Sequence, residues 1–239
     1  MNPRAQIACA WGGVACVLLA GIGFFAVTGY VPPPRADLPA NELADFYVDN
    51  ATRIRIGMVI CLFAWLGWGT LVAAIATQIS RIEGERGVLA NLELASGTVG
   101  WIFLLFPSLL LEVATFRPDE RSAELTQALH DLGWITAFMP AAPFCLMAVT
   151  IAIATFKDRD GAVYPRWFGY LNLWSAVLFF PGTLLIFFKS GPLAYHGILV
   201  FWIPFFVFGV WILAMAWAVR NAALAIPPQS PTSRGGGGR

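Results

Sequence analysis

Six stretches of the chain run for about 18 residues or more with almost no charge, separated by shorter polar segments. Their limits are close to residues 7–29, 56–80, 94–115, 132–156, 167–188 and 197–219. Uncharged apolar runs of that length match the hydrocarbon thickness of a bilayer when coiled as helices. The pattern therefore predicts an all-α integral membrane protein, a bundle of six transmembrane helices forming one domain over residues 1–226. The first run exceeds the ~7–15-residue core of a secretory signal and is read as a retained helix. Residues 227–239 are rich in Pro, Ser and Gly and are expected to be disordered.

Two of the polar segments carry patterns of their own. Residues 30–53 begin with Pro32, Pro33 and Pro34, a stiff extended piece. Leu43, Phe46 and Tyr47 follow at helical spacing, which predicts a short amphipathic helix lying on the outer membrane surface. In residues 116–134, Pro118 precedes Asp119 and Glu120, as at a helix start. Glu120, Glu124, Gln127 and Asp131 then make one polar stripe, with Leu125, Leu129 and Leu132 as an apolar face beside it. The expectation is a second surface helix running into the fourth span, with His130 and Asp131 at the water boundary.

Composition agrees with a membrane setting: 58% of residues are hydrophobic and 12% charged, against about 25% charged in soluble domains. A net charge of +1, without a basic stripe, argues against nucleic acid as a partner. The four cysteines all lie in apolar runs and show no metal-binding or disulfide spacing. If both termini are cytoplasmic, nine Lys/Arg fall inside and six outside, which favours that orientation by the positive-inside rule. The preference for Arg over Lys suggests a GC-rich bacterial genome, hence the bacterial inner membrane. Small residues at i, i+4, such as Gly69/Ala73, Ser96/Gly100, Ala137/Ala141 and Ala148/Ala152, are candidates for close helix packing.

Candidate chemistry gathers at the outer leaflet. Glu112 is an acid within the third run, and ionisable groups at membrane depth default to a functional reading. His130, Asp131, Lys189, Tyr195 and His196 are placed at the same level by topology, with Glu112–Lys189 and Glu112–His130 as expected pairs. Pro107, Pro140, Pro143, Pro181 and Pro204 all fall in the outer halves of the last four spans, and kinks there would open a vestibule. Phe- and Trp-rich stretches at 178–189 and 201–211 would form its walls. These features favour binding or transport of a small apolar or amphipathic molecule, such as a lipid, through an outer-leaflet vestibule. An accessory subunit of a larger membrane complex is an alternative. So is a redox subunit with one b-type haem on His130 and His196. A membrane enzyme acting on a lipid-like substrate would use Glu112, His130 and Asp131 as acid and base. No nucleotide-binding, zinc-hydrolase or nucleophile-elbow motif is present, so no other cofactor and no particular reaction is expected.

Overall fold

The computed structural model describes residues 2–84 and 87–226. The expected disordered tail, and Arg86 in the orientation count, lie outside the described residues. The described residues form helices and the connections between them, with no strand among them. Its α-helices are α1 (Pro3–Gly21), α2 (Ala40–Glu83), α3 (Val88–Phe116), α4 (Ala123–Phe138), α5 (Ala141–Lys157), α6 (Trp167–Phe179) and α7 (Ile203–Leu224). A π-helical stretch, Ile22–Val27, prolongs α1; a 3-10 stretch, Phe180–Phe187, prolongs α6; a second π stretch, Ile198–Trp202, leads into α7. With α4 and α5 together forming the fourth span, six helical units are long and apolar enough to cross a membrane.

α2 differs from expectation. Its 44 residues form one helix, about 66 Å long at 1.5 Å per residue. Leu43, Tyr47, Ile54, Met58 and Cys61 make one buried stripe across the expected loop boundary, and no Gly or Pro between Asn50 and Ile56 interrupts it. The segment expected to form a separate short helix is therefore continuous with the second span. Arg53 and Arg55, which marked that boundary by charge, are used as backbone donors. Arg53 Nε donates to the Val27 carbonyl at 3.1 Å, and the Arg55 guanidinium donates to the Thr115 and Phe116 carbonyls that end α3.

The helix around His130 also departs from its pattern. It starts at Ala123, with Ser122 as N-cap and Ser122 Oγ accepting from the Leu125 amide. Pro118, Asp119 and Glu120 lie in the irregular turn before it. On the expected apolar face Leu125 is 50% and Leu132 45% exposed, while Leu129 is partly buried. Thr126, His130, Gly133 and Trp134 are buried instead. In lipid the apolar side chains can face outward, and groups able to hydrogen-bond turn into the bundle.

The tightest contact between helices is made by glycines of α1 and α2. A Cβ on Gly67 would fall on the Gly12 carbonyl oxygen, and one on Gly57 would strike Thr28 and the Gly23 carbonyl. Gly69 and Gly100, by contrast, make room for the rings of Trp101 and Phe144. Three of the last four spans change at prolines: α4 and α5 meet at Pro140, α6 becomes 3-10 around Pro181, and π helix gives way to α7 just before Pro204. Pro107 sits inside α3 without ending it. At mid-bundle, Trp211 Nε1 donates to Asn172 Oδ1 at 2.8 Å, and Asn172 Nδ2 donates to the Phe168 carbonyl at 2.9 Å. Asn172→Leu leaves the Trp211 indole unpartnered and should lower stability by about 1 kcal/mol, the usual size of a hydrogen bond between membrane helices. Unfolding in mixed micelles measures it.

Candidate functional site: an apolar cavity beneath an aromatic and polar cluster

A cavity of about 370 Å³ lies where the helix changes cluster, near the lower end of the ~300–1,000 Å³ range of small-molecule pockets. Pro107, Pro140 and Pro204 line it, with Gly182 beside Pro181; Pro143 and Pro181 do not. The expected grouping of prolines around an opening is thus met by three of the five. The remaining wall is mostly aromatic, including Phe24, Phe103, Phe138, Phe144 and Phe205. No charged side chain and no histidine lines it. Within the wall, Trp65 Nε1 donates to Ser108 Oγ at 3.1 Å, and Ser108 Oγ donates to the Leu104 carbonyl at 3.3 Å. The Trp134 indole nitrogen has no partner, although the side chain is 1% exposed. Phe25, Phe206 and Val210 are lining residues that are also exposed, so the cavity reaches the outer surface of the bundle beside them.

Trp134 stands between this cavity and a buried polar cluster. Its indole packs against the rings of Phe24, Tyr30, Phe138, Phe201, His130 and Tyr195 at centroid distances of 5.6 to 6.1 Å. Behind it, Tyr30 donates its hydroxyl to Tyr47 at 3.0 Å, and the Tyr47 hydroxyl lies 2.8 Å from His130 Nδ1. With Tyr47 as donor, His130 carries its proton on Nε2; in the other tautomer Nε2 is an acceptor. Nε2 has no partner in either case. Tyr195 donates to Asp131 Oδ1 at 3.2 Å. Burial, then the Asp131 carboxylate, raises the Tyr195 phenol above its ordinary value, so it remains a donor.

Of the six residues expected at a polar mouth, none lines the cavity. His130, Asp131 and Tyr195 meet around Trp134. Glu112 forms neither expected pair: Arg55 acts on it through space, while Lys189 acts on Asp131. Glu112 Oε1 has no hydrogen-bond partner. His196 is turned to the connection after α1, where its Nδ1 accepts from the Ala36 amide at 3.1 Å. The Tyr195 ring lies against both histidines, and each uses Nδ1 within the protein. Among the described residues no group of three His, Cys, Asp or Glu side chains is placed to hold a metal ion.

The sequence pattern missed Tyr30, Tyr47 and Trp134. Tyr47 was assigned to the apolar side of a surface helix. The signal that identifies it is the seven-residue step from Tyr47 to Ile54, which continues the buried stripe of α2.

The connection between Val27 and Ala40 is pinned from three sides, by Arg53 on Val27, Gln127 Nε2 on the Leu38 carbonyl at 2.9 Å, and His196 on Ala36. Burial lowers the His196 imidazole below its ordinary value; Asp37 opposes that shift and Arg35 adds to it. The folded state therefore binds fewer protons than the unfolded one between the lowered value and about 6.5, and this part of the stability rises with pH. It is complete above about pH 6.5 and lost as the pH falls through the lowered value. The protection of the Ala36 amide against hydrogen exchange, after correction for the intrinsic slowing of exchange at lower pH, should be lost on acidification, and a His196→Gln variant should lack that step.

No protein-family model matches the chain, and no match was found among the curated proteins or the solved structures.

Proposed function

We propose that this multi-pass membrane protein binds a small, uncharged and largely apolar molecule in the cavity beneath Trp134, entering from the lipid, and carries or presents it across the membrane. The observation that supports the reading is the wall itself: aromatic, free of charge and open beside Phe25, Phe206 and Val210. A charged ligand would lose its hydration there without a partner. One acceptor oxygen on the ligand would complement the unpartnered Trp134 N–H. The positive-inside count supports both termini in the cytoplasm and the cavity in the outer half, and the preference for Arg over Lys supports a bacterial inner membrane. In this reading Glu112, His130, Asp131, Lys189, Tyr195 and His196 organise the floor behind Trp134 and the outer face; they do not touch the ligand.

Gly209 and Gly21 provide the test. Both line the cavity, and a Cβ on either meets nothing within 4 Å. Gly209→Leu and Gly21→Leu should fill the space with little strain. Binding of a neutral naphthalene-sized fluorescent probe should weaken at least tenfold, about 1.4 kcal/mol, with unchanged circular dichroism. Equal affinity in wild type and both variants would contradict the reading.

A further inference from the structure

The seam between α1 and α7 holds a second opening, toward the start of α1 and the end of α7. It is a groove of about 310 Å³ and shares no lining residue with the cavity beneath Trp134. Its floor contains two buried alanines, Ala10 and Ala216, where the two helices come together. Trp11 of α1 and Leu213 and Trp217 of α7 form exposed walls, and Arg220 of α7 closes one end. The Trp217 indole is fixed from behind. It stacks on the buried Phe168 ring at 5.9 Å with the planes 7° apart, and the Trp167 ring lies 6.2 Å away. A wall formed in advance needs little ordering when a guest binds.

The charge carried by the two helices has one sign. Neither α1 nor α7 contains Asp or Glu, and the sequence from Ala225 to Arg239 adds none. Arg220 is exposed, and among the described residues its guanidinium makes one long hydrogen bond, from Nη1 to Asn221 Oδ1 at 3.4 Å. Arg4 is also exposed and stands seven residues before Trp11, on the same face of α1. The ion pairs among the described residues involve neither arginine.

The order of these features along the seam is that of a phospholipid. Exposed apolar walls suit an alkyl chain. One turn beyond Trp217 comes a guanidinium, which grips a phosphate through two parallel N–H donors. An apolar groove alone would accept any lipid, whereas a cation on acid-free helices favours an anion. A phospholipid brings the phosphate and the chain together, while a soluble anion would leave the walls unused.

We propose that the groove between α1 and α7 binds one anionic glycerophospholipid. Its phosphate sits on Arg220, Arg4 adds to the positive field, and one acyl chain lies between Trp11 and Trp217 against Leu213. In the orientation proposed above, the groove opens to the inner leaflet, whose surface carries the anionic lipids. The bound lipid bridges the first and last spans. This site is separate from the ligand cavity.

Native mass spectrometry of the full chain, released from nanodiscs of equal parts dioleoylphosphatidylglycerol and dioleoylphosphatidylcholine, tests this. The two lipids share their chains and differ in headgroup charge. Wild-type protein should keep one phosphatidylglycerol, preferred about tenfold over phosphatidylcholine. Arg220→Gln should bring the ratio close to one, and Arg220→Lys, which keeps the charge without the fork, should fall between. Trp11→Ala should weaken retention of both lipids. Both side chains are exposed, so these chains should fold, and circular dichroism checks that they do. Gly209→Leu, which fills the cavity, should leave the preference intact, so failure here is distinguishable from failure of the cavity reading. Equal retention of the two lipids by wild type, a preference that survives Arg220→Gln, unchanged retention in Trp11→Ala, or a preference abolished by Gly209→Leu would overturn the proposal.

Discussion

Trp134→Ala lowers the unfolding free energy by about 3–5 kcal/mol, the range for truncating a large buried ring, and it is the most damaging single truncation expected around the cavity. The side chain is almost completely buried and touches six rings, from the π stretch after α1, the connection that follows it, α4, and the connection and π stretch leading into α7. Its removal joins the cavity to the space around His130 and leaves neighbouring faces without contacts, a loss that lipid does not make good. Trp134→Phe retains a ring and should recover most of the stability. Because the wild-type indole carried no hydrogen bond within the protein, losing the N–H alone should change stability little. A Trp134→Phe chain as unstable as Trp134→Ala would show that packing is the wrong account. Circular dichroism during denaturation in mixed micelles suits the comparison, since indole fluorescence changes with the substitution itself.

The second large effect is expected at the α1–α2 crossing. Gly67→Ala places its Cβ on the Gly12 carbonyl oxygen, and Gly57→Ala places one 2.7 Å from the Gly23 carbonyl. These obstacles are backbone atoms, which cannot rotate away as a side chain does. α1 must therefore move off α2, and forced overpacking of this kind typically costs about 1–3 kcal/mol, occasionally more. Close approach of backbones is a main source of attraction between membrane helices, so separation also weakens dispersion along the crossing. Gly209→Ala is the matched control, because the same added methyl meets no atom within 4 Å. The Gly67→Ala and Gly57→Ala chains should unfold more easily, while Gly209→Ala should behave as wild type. Equal stability of all three would contradict the assignment of the crossing.

The spans could be read from the sequence because lipid requires long uncharged runs, and that requirement appears directly in composition. The direction of each helix face could not be read in the same way. In α4 the pattern separated a polar stripe from an apolar face but did not tell which side the bundle covers: Leu125 and Leu132 face outward while Thr126 and His130 face inward. Charge misled in a related way at Arg53 and Arg55, which bind carbonyls instead of ending α2. Glu93, which is buried, was overlooked because it directly precedes the predicted third span. It nevertheless shares the small-residue stripe Ala90, Gly97 and Gly100 at helical spacing, and a stripe of that kind marks a face packed on neighbours. Aromatic residues near the outer prolines pointed to the cavity wall, while nothing local placed Trp134 between the cavity and His130. That arrangement requires contacts from residues far apart in the chain.

Native mass spectrometry of the protein released from lipid nanodiscs tests the central claim most directly. Wild-type protein should carry one small neutral molecule that survives delipidation, at a stoichiometry near one. Gly209→Leu and Gly21→Leu, prepared identically, should lose it. Wild-type protein free of any such molecule, or a bound species retained equally by both variants, would contradict the account.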